Sequence, residues 1–191
     1  MVRQRDFVMV YKVDFIQLIQ YKVAISSISI NSVRNYGKGV LKIIHDFLKN
    51  LNLKEIPKSK EDFVVWLNKT TDELCSELNK YSELDRYKTE FWGLARKALN
   101  LFLRDVFYNR YLYEKFSLAR LEYWLEIPLD NIVAKRLYKE SKLLEKFLPK
   151  WCSLISLNSE TNKAYQDFAQ ILAQKLGIAR VHLDLYFWLL K

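Results

Sequence analysis

Hydrophobic positions recur along this chain at intervals of three and four, the spacing that stacks side chains on one face of an α-helix. The clearest stripe is Leu94, Ala95, Ala98, Leu99, Leu101, Phe102, Val106 and Phe107; a second is Val40, Leu41, Ile43, Ile44, Phe47, Leu48 and Leu51. Ser59 caps a helix with Glu61 and Asp62 in its first turn and Phe63, Val64, Trp66 and Leu67 behind, and Thr71 caps a separate one through Leu74, Cys75 and Leu78. Ser117 opens a shorter helix through Trp124, stopped ahead of Pro128 because a residue preceding proline is pushed out of the helical region. Asp130 caps Asn131 to Lys139, with helical character continuing to Phe147 before Pro149. Ser159 or Thr161 starts a helix over Ala164 to Leu176, Gly177 suits a left-handed C-terminal cap, and a last helix runs from Val181 to the chain end. Phe15 to Ile30 fits a helix or two strands, and its helical context favours the helix. Asn35-Tyr36-Gly37-Lys38-Gly39 is a turn, Pro57 breaks the chain, and the polar stretch Tyr81 to Thr89 reads as a connector.

Composition supports the same class. Four glycines and three prolines in 191 residues supply too few turns for a sandwich or barrel, so an all-α array is expected. Half of the residues are hydrophobic and 28% charged, enough to bury a core, and the length suits one large domain or two small lobes sharing an interface. The excess of 31 Lys and Arg over 22 Asp and Glu gives +9, which points to a polyanion, nucleic acid before membrane. Cys75 and Cys152 have neither CxxC spacing nor a nearby histidine pair, so reduced thiols are expected rather than a zinc or iron–sulfur site. Met1 through Tyr11 is mixed rather than basic then apolar, and no run reaches roughly 18 apolar residues, so neither secretion nor a membrane span is expected.

Two residues carry chemistry. Lys97 ends Trp92-Gly93-Leu94-Ala95-Arg96-Lys97 at the start of the strongest helix, and Asp130 ends Leu125-Glu126-Ile127-Pro128-Leu129-Asp130 at the start of another. An amine and a carboxylate delivered from two helix starts into one cleft make a nucleophile with its electrostatic partner. Such a lysine must lose its proton, through desolvation or cationic neighbours such as Arg96. The plainer alternatives are a solvated helix lysine and an N-cap aspartate, and the cap is compatible with the chemistry.

Three segments resemble one family. Gly93-Leu94-Ala95-Arg96-Lys97 resembles the Gly-x-Gly-Arg-Lys corner of the helix-hairpin-helix DNA glycosylases, with Ala95 where the second glycine is usual and no clear Leu-Pro-Gly turn ahead of it. Ile127-Pro128-Leu129-Asp130, followed by Val133-Ala134-Lys135-Arg136-Leu137, is similar to their Pro-Val-Asp segment and its helix, and the spacing of 33 residues between Lys97 and Asp130 looks like that of the archaeal 8-oxoguanine DNA glycosylases. Leu176-Gly177-Ile178-Ala179-Arg180-Val181-His182-Leu183-Asp184-Leu185-Tyr186-Phe187-Trp188 resembles the segment that holds the base-pocket aspartate and tryptophan of those archaeal enzymes. The resemblance covers about residues 93–191.

The resemblance implies a single domain over 1–191, two-lobed with a cleft between lobes, in which 91–191 carries the motifs and 1–90 matches poorly. It implies a glycosylase with β-lyase activity on an oxidised purine such as 8-oxoguanine. Lys97 would be the Schiff-base nucleophile, Asp130 its electrostatic partner, Asp184 and Trp188 the base pocket. Gly93 and Arg96 would meet the DNA backbone, as would Lys135 and Arg136 just after Asp130, for which plain surface charge is the equal alternative. No metal or organic cofactor is implied; the partner is damaged double-stranded DNA, bound by a monomer in the cytoplasm at the nucleoid. A non-catalytic nucleic-acid-binding protein of the same fold, or a basic helical interaction scaffold, are the alternatives.

Beside that frame, Asp184 also suits a surface or capping carboxylate and Trp188 a core aromatic. His45 and His182 lack partners at ligand spacing and are expected to be structural, and Trp66, Trp92, Trp124 and Trp151 to be core or cleft-wall residues. Tyr108, Arg110, Tyr111, Tyr113 and Lys115 interleave aromatics with cations, as a DNA contact or a solvated face would.

Overall fold

The computed structural model describes residues 14–34, 36–37, 39–80 and 90–189. The expected connector Tyr81 to Thr89, the segment Met1 to Tyr11 and two residues of the expected turn, Asn35 and Lys38, lie outside the described residues. Every regular element among the described residues is helical: α1 (Phe15–Ser27), α2 (Ile30–Val33), α3 (Val40–Asn50), α4 (Lys60–Lys80), α5 (Trp92–Tyr108), α6 (Arg110–Phe116), α7 (Asn131–Leu143), α8 (Ser159–Leu176) and α9 (Leu183–Leu189), with 3₁₀ turns at Leu53–Glu55, Leu118–Leu121 and Arg180–His182. The ambiguous segment from Phe15 is thus a helix, started by the Asp14 carboxylate accepting from the Ile16 amide at 3.0 Å. None of the described helices is long and apolar enough to cross a membrane.

Three boundaries differ from expectation. Ser59 does cap α4, its hydroxyl accepting from the Asp62 amide at 3.1 Å, but Thr71 does not start a second helix. The hydroxyls of Thr70 and Thr71 donate to the carbonyls of Trp66 and Leu67 at 2.8 and 2.7 Å, so both threonines are satisfied inside one continuous helix. Ser117 takes a left-handed conformation (φ 52°) that ends α6, and only a 3₁₀ turn follows it; the Arg120 guanidinium ties that turn to the carbonyls of Ile56 and Pro57. Helix α7 stops at Leu143 rather than Phe147, because Glu145 is left-handed (φ 52°) and the Lys146 amide closes back onto the Ser141 carbonyl at 2.8 Å. A side chain costs free energy in that conformation and glycine does not. Glu145→Gly is therefore expected to stabilise the protein by about 0.5–1 kcal/mol, read as a higher urea midpoint with an unchanged slope.

The apolar side chains pack in two clusters. One is built by α1, α3, α4 and α5, with Ile44, Leu48, Phe63, Leu74, Leu99 and Phe102 at its centre. The other is built by α7, α8 and α9 around Leu137, Tyr165, Ala169 and Leu183. Leu154 packs against both. Helix α5 gives its buried face to the first cluster, while the stretch Leu125–Asp130 crosses from the first cluster to the second.

Candidate functional site

Helix α5 has two faces with different tasks. Arg96 and Asn100 point into the protein, whereas Lys97, Leu101, Arg104, Asp105 and Tyr108, spaced by turns of the helix, line a cavity of about 380 Å³. The other wall comes from Pro128 and Asp130 at the entrance to α7, from Asp184, Leu185, Trp188 and Leu189 on α9, and from Ser27 and Ser32 of the α1–α2 region.

The stretch that carries Asp130 is held residue by residue. Arg180 donates to the carbonyls of Trp124 and Leu125, at 2.9 Å each. Glu126 is buried on the Arg96 guanidinium through two bonds of 2.8 Å and also accepts from Asn100 at 2.9 Å. The Gln166 side-chain amide reads both backbone groups of Ile127, accepting from its N–H at 3.0 Å and donating to its carbonyl at 2.9 Å. Asp130 then turns into α7, Oδ1 accepting from the amides of Ile132 and Val133 at 2.8 and 2.9 Å. The cap expected of Asp130 is present, and both cap bonds use one oxygen.

Lys97 is half-buried, and burial pushes its ammonium below the ordinary lysine range, against the carboxylates of Asp130 and Asp184, which pull it up. Arg96 has no part in that shift, because its guanidinium lies on Glu126, Asn68 and Thr71. Asp184 is 4% exposed and its Oδ2 is ion-paired with Arg104, which also binds Asp105 at 2.7 Å. Burial raises the Asp184 carboxyl despite the Arg104 guanidinium. At the rim, Tyr108 stacks on His182 at 5.7 Å between centroids, its hydroxyl 2.7 Å from Nδ1, while the His182 Nε2 lies 3.1 Å from Glu122. A half-desolvated amine, an oriented carboxylate, a second carboxylate clamped by arginine and an indole, sharing one cavity, can hold a polar ring and attack an electrophilic carbon beside it.

Of the residues singled out in the sequence, Lys97, Asp130, Asp184 and Trp188 converge on this cavity. Gly93 and Arg96 do not reach a surface, which corrects their assignment to the DNA backbone. Arg96 is 3% exposed, and a Cβ at Gly93 would overlap the Leu154 carbonyl oxygen and press on Leu157 at 2.9 Å. Glycine is needed at position 93 for helix-to-loop packing between the two clusters. Gly93→Ala is expected to cost about 3 kcal/mol, since a backbone oxygen cannot swing away, and thermal unfolding measures the loss.

Lys135 and Arg136 lie on the exposed face of α7 outside the cavity, Arg136 at 4.0 Å from Glu140. The aromatic–cation cluster divides: Tyr108 faces the cavity, Tyr111 meets Phe15 edge-on, Tyr113 meets Phe107, and Arg110 pairs with Glu114. Both histidines have hydrogen-bond partners, His45 on the Ile28 carbonyl at 3.0 Å. Trp66 and Trp124 pack on Phe63, Trp92 donates to Asp72, and Trp151 donates to Asn131.

Sequence reasoning missed Arg104 and Asp105. Their signal was spacing: Arg104 follows Lys97 by two helical turns, so any helix that turns Lys97 into a cleft turns Arg104 there too. Among the described residues no cluster of His, Cys, Asp and Glu suits a metal ion. Compared with protein-family models, curated proteins and solved structures, the chain matches none of them.

Proposed function

We propose that this chain is a base-excision DNA glycosylase with β-lyase activity on an oxidised purine, with a fold of the helix-hairpin-helix glycosylase type. The single observation that carries the reading is the half-buried, depressed Lys97 amine in a cavity it shares with Asp130, Asp184 and Trp188. The net charge of +9 suits a polyanionic partner. A flipped nucleotide enters with its base toward Trp188 and Asp184 and its sugar over Lys97. Asp184 retains Oδ1 outside its ion pair with Arg104, an acceptor for the N–H edge of a purine.

The neutral Lys97 amine uses its lone pair to form a bond to C1′. The N-glycosidic bond breaks, its electron pair leaves with the base, and the base gains a proton. Asp130 stabilises the positive charge that develops on the sugar. The new secondary amine loses a proton as the sugar ring opens, giving an iminium. Loss of a C2′ proton then expels the 3′-phosphate, cutting the strand.

The test is borohydride trapping on a duplex containing one 8-oxoguanine, with wild type and Lys97→Gln. A covalent adduct is expected in wild type and none in the variant. Absence of both adduct and strand cleavage from folded wild type, on this and other lesions, would sink the reading. One observation favours a non-catalytic nucleic-acid-binding protein instead: Arg104 already occupies one oxygen of Asp184, the group that would read the base. Salt-sensitive duplex binding by a wild type that neither traps nor cuts would favour that alternative.

A further inference from the structure

Glu122, His182 and Tyr108 form a chain of hydrogen bonds that ends at the rim of the cavity, and the chemistry proposed above uses none of them. We propose that Tyr108 reads the edge of the flipped base that lies farthest from the sugar, with Glu122 and His182 setting whether its hydroxyl accepts or donates; this rests on the reading of the cavity as a nucleotide site.

Tyr108 follows Lys97 by three helical turns on the same face of α5 and lines the same cavity. With the sugar at Lys97, a base extending along that face past Asp184 brings its far edge to Tyr108. The phenol oxygen lies among the charges of the wall: burial raises its pKa, Arg104 opposes the rise, and Asp184, Asp105 and Glu122 add to it. The phenol therefore keeps its proton at physiological pH. Its contact with His182 is not enclosed, and Tyr108 is 42% exposed, so a ligand in the cavity can reach it.

Glu122 determines where the protons sit. A carboxylate only accepts, so the His182 Nε2, 3.1 Å from it, carries a hydrogen. In the neutral imidazole Nδ1 is then bare and accepts the Tyr108 O–H across 2.7 Å. The Tyr108 oxygen is left with lone pairs for the cavity and acts there as an acceptor. Protonation of His182 puts a hydrogen on Nδ1, the phenol oxygen accepts from it, and the Tyr108 O–H is released to donate into the cavity. Of the other neighbours of His182, Arg180 is turned onto the carbonyls of Trp124 and Leu125, and Phe107, 6.2 Å away, carries no charge.

A guanine-type base offers two adjacent donors at its far edge, the ring N1–H and the amino group. The free Oδ1 of Asp184 and the Tyr108 oxygen are two acceptors on one wall to meet them. An adenine-type base offers one donor beside a bare ring nitrogen, which then faces a lone pair, and a site built for hydrogen bonds rejects such a mismatch. With His182 protonated, Tyr108 donates to that bare nitrogen instead, and the preference narrows.

The experiment compares single-turnover excision from duplexes carrying one 8-oxoguanine or one 8-oxoadenine, which share the oxidised five-membered ring and differ at the far edge. Wild type, Tyr108→Phe and His182→Gln are followed from about pH 5 to 8. The ratio of the two rates cancels the titration of Lys97, and Asp184 is intact in all three proteins. Wild type is expected to favour 8-oxoguanine, with the ratio falling about tenfold toward acid. Tyr108→Phe should lower the ratio about tenfold near neutrality, and both variants should flatten its dependence on pH. A ratio that follows wild type at every pH in Tyr108→Phe overturns the assignment. So does a wild-type ratio that does not move with pH, or an equal slowing of Tyr108→Phe in trapping on a preformed abasic site, where no base is read. In each of these cases excision by wild type leaves the glycosylase reading standing. Where wild type excises neither base, the ratio is taken from duplex affinities. A pH-dependent preference that Tyr108→Phe loses keeps the assignment and sinks the glycosylase, and equal affinities sink both.

Discussion

Asp130→Asn is expected to slow formation of the trapped adduct by about 10²–10³-fold while leaving the fold intact. Asparagine caps a helix as well as aspartate does, and the two cap bonds that Asp130 makes both fall on Oδ1, an atom asparagine retains. Thermal stability should therefore change by no more than about 0.5 kcal/mol. What is removed is the negative charge facing Lys97. That charge raises the Lys97 pKa, while burial lowers it, so its loss lets burial act further and moves the amine lower still. Attack needs the neutral amine, so the rising limb of the pH–rate profile should shift to lower pH in the variant. The wild-type advantage should then be largest at alkaline pH and shrink toward acid, where the variant holds more of its amine unprotonated. A variant with wild-type rate and an unshifted profile would reduce Asp130 to a helix cap.

The same lysine makes a stability argument with a definite sign. Its folded pKa lies below its unfolded value, so the folded state resists protonation and loses stability as pH falls from the unfolded lysine pKa toward the folded one. Lys97→Met should thus be more stable than wild type at neutral pH, by about 1 kcal/mol, with no trapping. Urea midpoints at neutral and alkaline pH test it, since the gain should narrow as the wild-type lysine becomes neutral in both states.

Helices with strong periodicity were legible because their apolar stripes are also their buried faces: Val40, Ile44 and Leu48 on α3, and Leu94, Ala98, Leu99 and Phe102 on α5, all lie in the core. Ends were less legible. Thr71 looks like a cap in one dimension, and only the Leu67 carbonyl beneath its hydroxyl shows that it is a helix-interior residue. Glu145 gives no compositional hint of positive φ, because the turn is enforced by the closure from Lys146 to Ser141 rather than by glycine.

The site divided the same way. Lys97, Asp130, Asp184 and Trp188 came from segment resemblance and meet in one cavity. The pair Gly93 and Arg96 came from the same segment, yet both face the interior, because adjacent residues on a helix point about 100° apart and Lys97 alone takes the cavity side. Arg104 shares the Lys97 face by its two-turn spacing, a signal that was passed over, while its ion pair with Asp184, 80 residues away, comes only from the packing of α9 against this face.

Glu126→Ala is expected to cost about 3–5 kcal/mol, enough to threaten folding of a chain this size. Arg96 is 3% exposed, so removing the carboxylate leaves its guanidinium buried without a counter-ion. Burial alone would raise the Glu126 carboxyl; the Arg96 guanidinium, Arg180 and the Asn100 amide outweigh it and hold the carboxyl below its ordinary value. A carboxyl depressed in the folded state stabilises above its unfolded pKa, and that stability fades as pH falls through the folded one. Wild type should accordingly lose stability in acid more steeply than Glu126→Gln does. The pair Arg96→Met with Glu126→Leu should recover part of the loss, because apolar side chains need no counter-charge, while the buried Asn100 and Asn162 amides lose the carboxylate they donate to. Trapping should not recover with it. The ion pair joins the helix of Lys97 to the stretch that ends in Asp130, and two directed bonds of 2.8 Å fix that register where methionine and leucine do not. Urea unfolding and trapping on the same preparations separate the two effects. Full recovery of both would make the pair a matter of packing alone, and a loss in Glu126→Ala below about 1 kcal/mol would remove it from the account of how the cleft is held.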